Sequence, residues 1–115
     1  MYSFKKLKQN SDFRRIYGRG ITLVTPAFVA YAFKNRRSSG IRIGITAGKK
    51  LGCAVQRNRA KRVITAAFAS VSDRIRSGYD IVFVARTRIL TLKSTELSAL
   101  MLKNFEEAEI LNQDA

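Results

Sequence analysis

The sequence predicts an α+β fold, an α/β sandwich with a central sheet and the element order α-β-β-β-α-β-α. Three observations point there. In residues 41–47, Ile41, Ile43, Ile45 and Ala47 alternate with Arg42, Gly44 and Thr46, which is the two-residue period of a strand with one core face. In residues 60–75, Ala60, Val63, Ile64, Ala67, Phe68, Val71 and Ile75 share one arc at roughly 100° per residue, the period of a core-facing helix. The 115 residues are 46% hydrophobic, enough for one core, and no repeat or linker divides them, so residues 1–115 are expected to form a single domain.

The elements follow in order. Asn10 and Ser11 are caps for a short first helix, in which Phe13, Ile16 and Tyr17 share a face and which Gly18 and Gly20 end. Residues 21–25 form a short extended piece before Pro26, residues 27–33 a strong strand, and the polar residues 35–40 a turn. After the strand at 41–47, residues 49–68 join a turn containing Gly52 to the basic helix. Ser77 and Gly78 break the pattern, and the near-continuous apolar run at 81–85 makes residues 79–85 a central strand. Ser94 caps the last helix, with Glu96 in its first turn and Leu97, Leu100, Met101, Phe105 and Ala108 on one stripe; residues 112–115 are expected to fray.

Charge narrows the function. Twenty-two Lys and Arg against eight Asp and Glu give a net charge of +14, the footprint of a polyanion binder. Residues 1–72 carry +15 and residues 73–115 carry −1, so the binding surface is expected in the first two-thirds. Within it, Arg57, Arg59, Lys61 and Arg62 set four cations near a helix start, whose free amides and dipole also favour an anion. A merely solvated basic face would show the same run, and the charge asymmetry favours phosphate docking over it. No secretory signal or membrane-length apolar run is present, so a cytoplasmic protein is expected. Cys53 is the single cysteine, which excludes an intramolecular disulfide; it reads as a small residue near a helix start whose thiol is reactive if it meets the neighbouring cations.

A second surface accompanies the first. In residues 27–33, Phe28, Ala30 and Ala32 point one way and Val29, Tyr31 and Phe33 the other, so both faces are apolar. The second face is either covered by the first helix or open as an aromatic groove, with Phe13 and Tyr17 on the other wall and Arg14, Arg15 and Arg19 nearby; rings beside cations hold single-stranded nucleic acid. Taken singly, Phe13, Ile16, Phe28 and Phe33 read as core, and Tyr17 and Tyr31 as the groove candidates. There is no histidine, and Asp12, the sole acid of residues 1–72, reads as a helix N-terminal residue. Catalysis by this chain's own side chains is therefore not expected.

Residues 7–20 (LKQNSDFRRIYGRG), 28–33 (FVAYAF), 42–46 (RIGIT) and above all 49–68 (KKLGCAVQRNRAKRVITAAF) resemble the protein subunit of bacterial ribonuclease P, the last segment reproducing its RNR signature. The resemblance implies the same element order, with the signature helix in an unusual left-handed crossover between parallel strands. It implies that Lys49, Lys50, Arg57, Asn58, Arg59, Lys61 and Arg62 bind the catalytic RNA, and that Phe13, Tyr17, Val29 and Tyr31 hold the single-stranded 5′ leader of precursor tRNA. The implied activity is endonucleolytic leader removal, catalysed by the RNA. The partners are ribonuclease P RNA and precursor tRNA, with no membrane and no obligatory protein partner; Mg2+ is expected with the RNA subunit and no cofactor on the protein itself. Thr65, in the middle of the cationic arc, stands where the family commonly has another basic residue, and Gly48 where it often has serine. Three rivals make other demands. A ribosomal or general RNA binder would cosediment with ribosomes without stimulating leader removal. A DNA regulator lacks an evident second helix or dimerisation heptad, and a membrane-surface helix would need the apolar side that the core uses.

Overall fold

A computed structural model describes residues 4–7, 16, 18–34, 40–76 and 78–110. Five strands, β1 (Phe4–Lys6), β2 (Ile21–Val24), β3 (Phe28–Lys34), β4 (Ile41–Thr46) and β5 (Tyr79–Ala85), form one sheet in the order β1-β4-β5-β3-β2. Two helices, α1 (Ala54–Val71) and α2 (Ser94–Glu107), pack with it. From β2 onward the order is the predicted one. β1, which pairs in parallel with β4, is an addition: three residues show no period, and only the neighbouring strand reveals them. Of the predicted first helix, Ile16, Gly18 and Arg19 are helical, while Asn10, Ser11, Asp12, Phe13 and Tyr17 lie outside the described residues, as do most of the 35–40 turn and residues 112–115.

The apolar run of β5 sits where such a run belongs, between parallel β4 and antiparallel β3. Register then sorts the two sheet faces. Ala30 opposes Phe83 and Ile45 opposes Phe83 from the other side, so the residues alternating with them share the face under the helices. There Phe28, Phe68, Phe83 and Phe105 are fully buried and meet largely edge to face, with centroids 5.3 Å apart for Phe28–Phe83, 5.7 Å for Phe68–Phe83 and 6.3 Å for Phe68–Phe105. Ala60, Ile64, Ala67, Phe68 and Val71 of α1 and Leu97, Met101 and Phe105 of α2 join them, as their stripes predict.

Local chemistry fixes the connections. Thr25 is buried, and its hydroxyl accepts from the Phe28 amide at 2.9 Å while donating to the Phe28 carbonyl at 2.7 Å, which closes the tight β2–β3 hairpin around Pro26. Gly20 donates to the Ile16 carbonyl at 2.8 Å, and a Cβ there would stand 2.7 Å from that oxygen and 2.9 Å from the Ala32 carbonyl; only glycine lets the helical residues lie this close to β3. Helix α1 stops at Val71 and a 3₁₀ turn, Ser72–Arg74, returns Ile75 to the core by a different path from the continuous helix expected. The start of α2 is likewise held differently: the Glu96 carboxylate accepts from the Lys93 amide at 3.1 Å, and Ser94 is the first helical residue rather than the cap.

Candidate nucleic-acid interface

The basic helix begins on a rigid turn. Lys49–Leu51 form a 3₁₀ turn in which Leu51 is buried and Lys49 and Lys50 are exposed, so the apolar residue anchors the segment and both ammonium groups face outward. Gly52 follows with φ of 114°, a conformation that suits glycine, and a Cβ there would run into the Gln56 side-chain amide. That amide is engaged: Gln56 Oε1 accepts from the Cys53 amide at 3.0 Å, and Arg57 N donates to the Cys53 carbonyl at 3.0 Å. Cys53 is therefore the exposed N-cap of α1. The amides of Gln56 and Val55 aimed at its sulfur, with a smaller contribution from Arg57, hold its thiol pKa below the ordinary value.

From this start α1 shows two kinds of polar side chain. Asn58, Arg59, Lys61 and Arg62 are exposed, and Asn58, Lys61 and Arg62 line one recess of about 430 Å³ together with Val55. Arg57 differs. At ~100° per residue it falls in the arc that Ile64 and Phe68 occupy further along; it is half-buried, and its Nε is buried without a hydrogen-bond partner. Thr65 corrects an expectation. It is 9% exposed and its hydroxyl donates to the Lys61 carbonyl at 2.8 Å, so its short side chain folds back on the preceding turn instead of joining the cationic face. Gly48 has extended φ and ψ and open space where a Cβ would stand, so the turn makes no demand for glycine at that position.

The second surface is the sheet face away from the helices. Leu7, Ile16 and Val82 are buried there with Tyr31 and Phe33 packed against them, so the face is covered at one end, as the first alternative for it required. The other end is more open. Val24, Val29, Val84 and Thr46 oppose one another across four strands, with Val24 and Thr46 exposed and Val29 and Val84 half-buried. Of the four predicted leader residues, Val29 and Tyr31 thus share this face in adjacent rows, and Phe13 and Tyr17 lie outside the described residues. At the covered end Arg42 Nε and Nη2 donate to the fully buried Asp80 at 2.9 and 2.7 Å, a two-pronged pair that ties β4 to β5.

The two surfaces are near neighbours in the chain. Thr46 ends the open row, and Ala47 and Gly48 alone separate it from Lys49. Three contributions escape a reading of the sequence: Val24 and Val84, which need the register, and Val55, whose exposure needs the end of the core to be known. Arg86 and Arg88 add exposed cations just past β5, beyond the two-thirds to which the charge count pointed. Among the described residues no group of His, Cys, Asp or Glu is arranged to hold a metal ion, and no helix is long and apolar enough to cross a membrane.

Comparison with known proteins adds to this geometry. The sequence model of the Ribonuclease P family matches residues 1–109. The Ribonuclease P protein component of Symbiobacterium thermophilum is 36% identical over 109 residues, covering 95% of each chain. That of Clostridioides difficile is 43% identical over 83 residues, 71% of this chain and 72% of the relative. The RNase P protein of Staphylococcus aureus has the same fold, with a TM-score of 0.81 at 32% identity over 93% of this chain and 97% of that one. The Thermotoga maritima protein gives 0.75 at 27% identity, covering 86% and 93%.

Proposed function

The chain belongs to the ribonuclease P protein family, and from that premise we propose that it joins two RNAs, the catalytic RNA on the α1 surface and the precursor-tRNA leader on the open sheet face. The observation that carries this reading is the placement of a cationic helix face and a half-open apolar sheet face on either side of one short segment, Thr46 to Lys49. Lys49, Lys50, Arg59, Lys61 and Arg62 would neutralise and position backbone phosphates of the catalytic RNA, with the Asn58 amide offering the same RNA an uncharged hydrogen-bonding group and Arg57 turned toward the edge of the core. Val29 and Tyr31, with Phe13 and Tyr17, would offer the leader a surface for its unstacked bases.

The exposed side chains on α1 are mainly ammonium and guanidinium groups, which repel a divalent cation and offer it no lone pair, so magnesium belongs with the RNA in this proposal. The protein supplies charge and orientation, and leader hydrolysis occurs on the RNA subunit in the cytoplasm. Two substitutions separate the surfaces. In complexes with a bacterial ribonuclease P RNA, Arg62→Ala weakens assembly, whereas Tyr31→Ala assembles normally and loses about fivefold or more in affinity for leader-bearing precursor while mature tRNA binds nearly as before. Equal losses for precursor and mature tRNA with the Tyr31 variant would refute the groove assignment.

A further inference from the structure

We infer that the recess on α1 lined by Val55, Asn58, Lys61 and Arg62 seats one unstacked nucleotide of the bound RNA, with its sugar or base face on Val55, its base edge on Asn58 and its phosphate on Lys61 and Arg62. The inference rests on the RNA-docking role proposed for this helix, and it adds recognition to what would otherwise be charge alone.

Val55 is the most exposed large apolar residue among those described, at 72%, and it is the only one of that exposed set outside β2. It sits in the first turn of α1, where a branched side chain stiffens the helix no better than alanine would and contributes nothing to the core. Its neighbours are polar. At ~100° per residue Val55, Arg62 and Asn58 fall within about 60° of one another and Lys61 flanks them, so one apolar patch lies inside a ring of donors. The Asn58 amide has no hydrogen-bond partner among the described residues, and it is the one group in the recess that both donates and accepts.

Those four chemistries match the parts of a nucleotide. A phosphate alone would be served by the two cations, and duplex RNA would offer them its backbone while keeping its base faces stacked. An apolar methyl pair and a bidentate amide become useful when a base leaves the stack and shows its face and edge. The recess volume of about 430 Å³ is within the range of small-molecule sites and is open enough for a nucleotide still joined to its chain.

The experiment uses the full chain with a bacterial ribonuclease P RNA and a control RNA of equal length, over a salt series, with base reactivity probed chemically on the same complexes. The expected result is that Asn58→Ala costs about tenfold and Val55→Ala several-fold in affinity for the ribonuclease P RNA. The salt slope stays unchanged because neither side chain is charged, and one base protected by the unaltered protein becomes reactive in both variants. Val55→Ala is exposed and favours helix, so circular dichroism is expected to show an intact fold. If the unaltered protein binds ribonuclease P RNA selectively but both variants bind and protect as it does, the recess is not a nucleotide site. If the unaltered protein shows no preference for ribonuclease P RNA over the control, the docking role itself fails and the inference falls with it.

Discussion

Cys53 is a residue whose reactivity reports the state of the turn that begins α1. Its sulfur faces the amides of Gln56 and Val55 at an exposed helix start, which favours thiolate. Because the folded pKa lies below the unfolded one, alkylation of the native protein should switch on at lower pH than alkylation of the urea-unfolded chain, and bound RNA should protect the thiol. Stopped-time iodoacetamide labelling across a pH series checks this; coincident folded and unfolded profiles would mean that the cap does not hold the sulfur as described. The neighbouring site residues were legible to different degrees. Asn58, Arg59, Lys61 and Arg62 followed from helical spacing and charge, and the structure leaves all four exposed. Arg57 follows the same period into the apolar arc, where its Nε is buried, but Thr65 did not, because the back-bond of its hydroxyl depends on local packing rather than on period.

At the scale of elements, the strands and helices with a clear period were readable almost to their ends. The strand expected at 41–47 spans Ile41–Thr46 and that at 79–85 spans Tyr79–Ala85. Sequence could not announce β1, whose pairing is made by β4, nor the register that lines up Val24, Val29, Val84 and Thr46 across the open face. The end of α2 was also hidden, since no glycine marks it. Glu109 takes φ of 60° there, and the Ile110 amide donates to the Phe105 carbonyl at 2.9 Å, so a charged residue occupies the left-handed position that glycine usually fills. Glutamate is disfavoured at this place twice, by its Cβ and by its charge at the negative end of the helix dipole. Glu109→Gly should therefore raise stability by up to about 1 kcal/mol, seen as a higher urea midpoint with unchanged slope. A lower midpoint would show that the glutamate has compensating contacts.

For the molecule as a whole, the net charge of +14 is concentrated in residues 1–72, and in the proposed function that charge would supply affinity while the apolar sheet face would distinguish the leader from the catalytic RNA. If about six phosphates are contacted, log affinity for ribonuclease P RNA falls with log salt at a slope between about −4.2 and −5.4. A flat salt dependence would remove the electrostatic account of assembly. The central claim, that this chain serves a catalytic RNA rather than cleaving RNA itself, is tested most directly by reconstitution. The chain is added to a bacterial ribonuclease P RNA at a magnesium concentration too low for the RNA alone, and cleavage of precursor tRNA is followed. The account predicts that correct 5′ leader removal appears only when both are present; cleavage by the chain without the RNA, or no stimulation of the RNA by the chain, would contradict it.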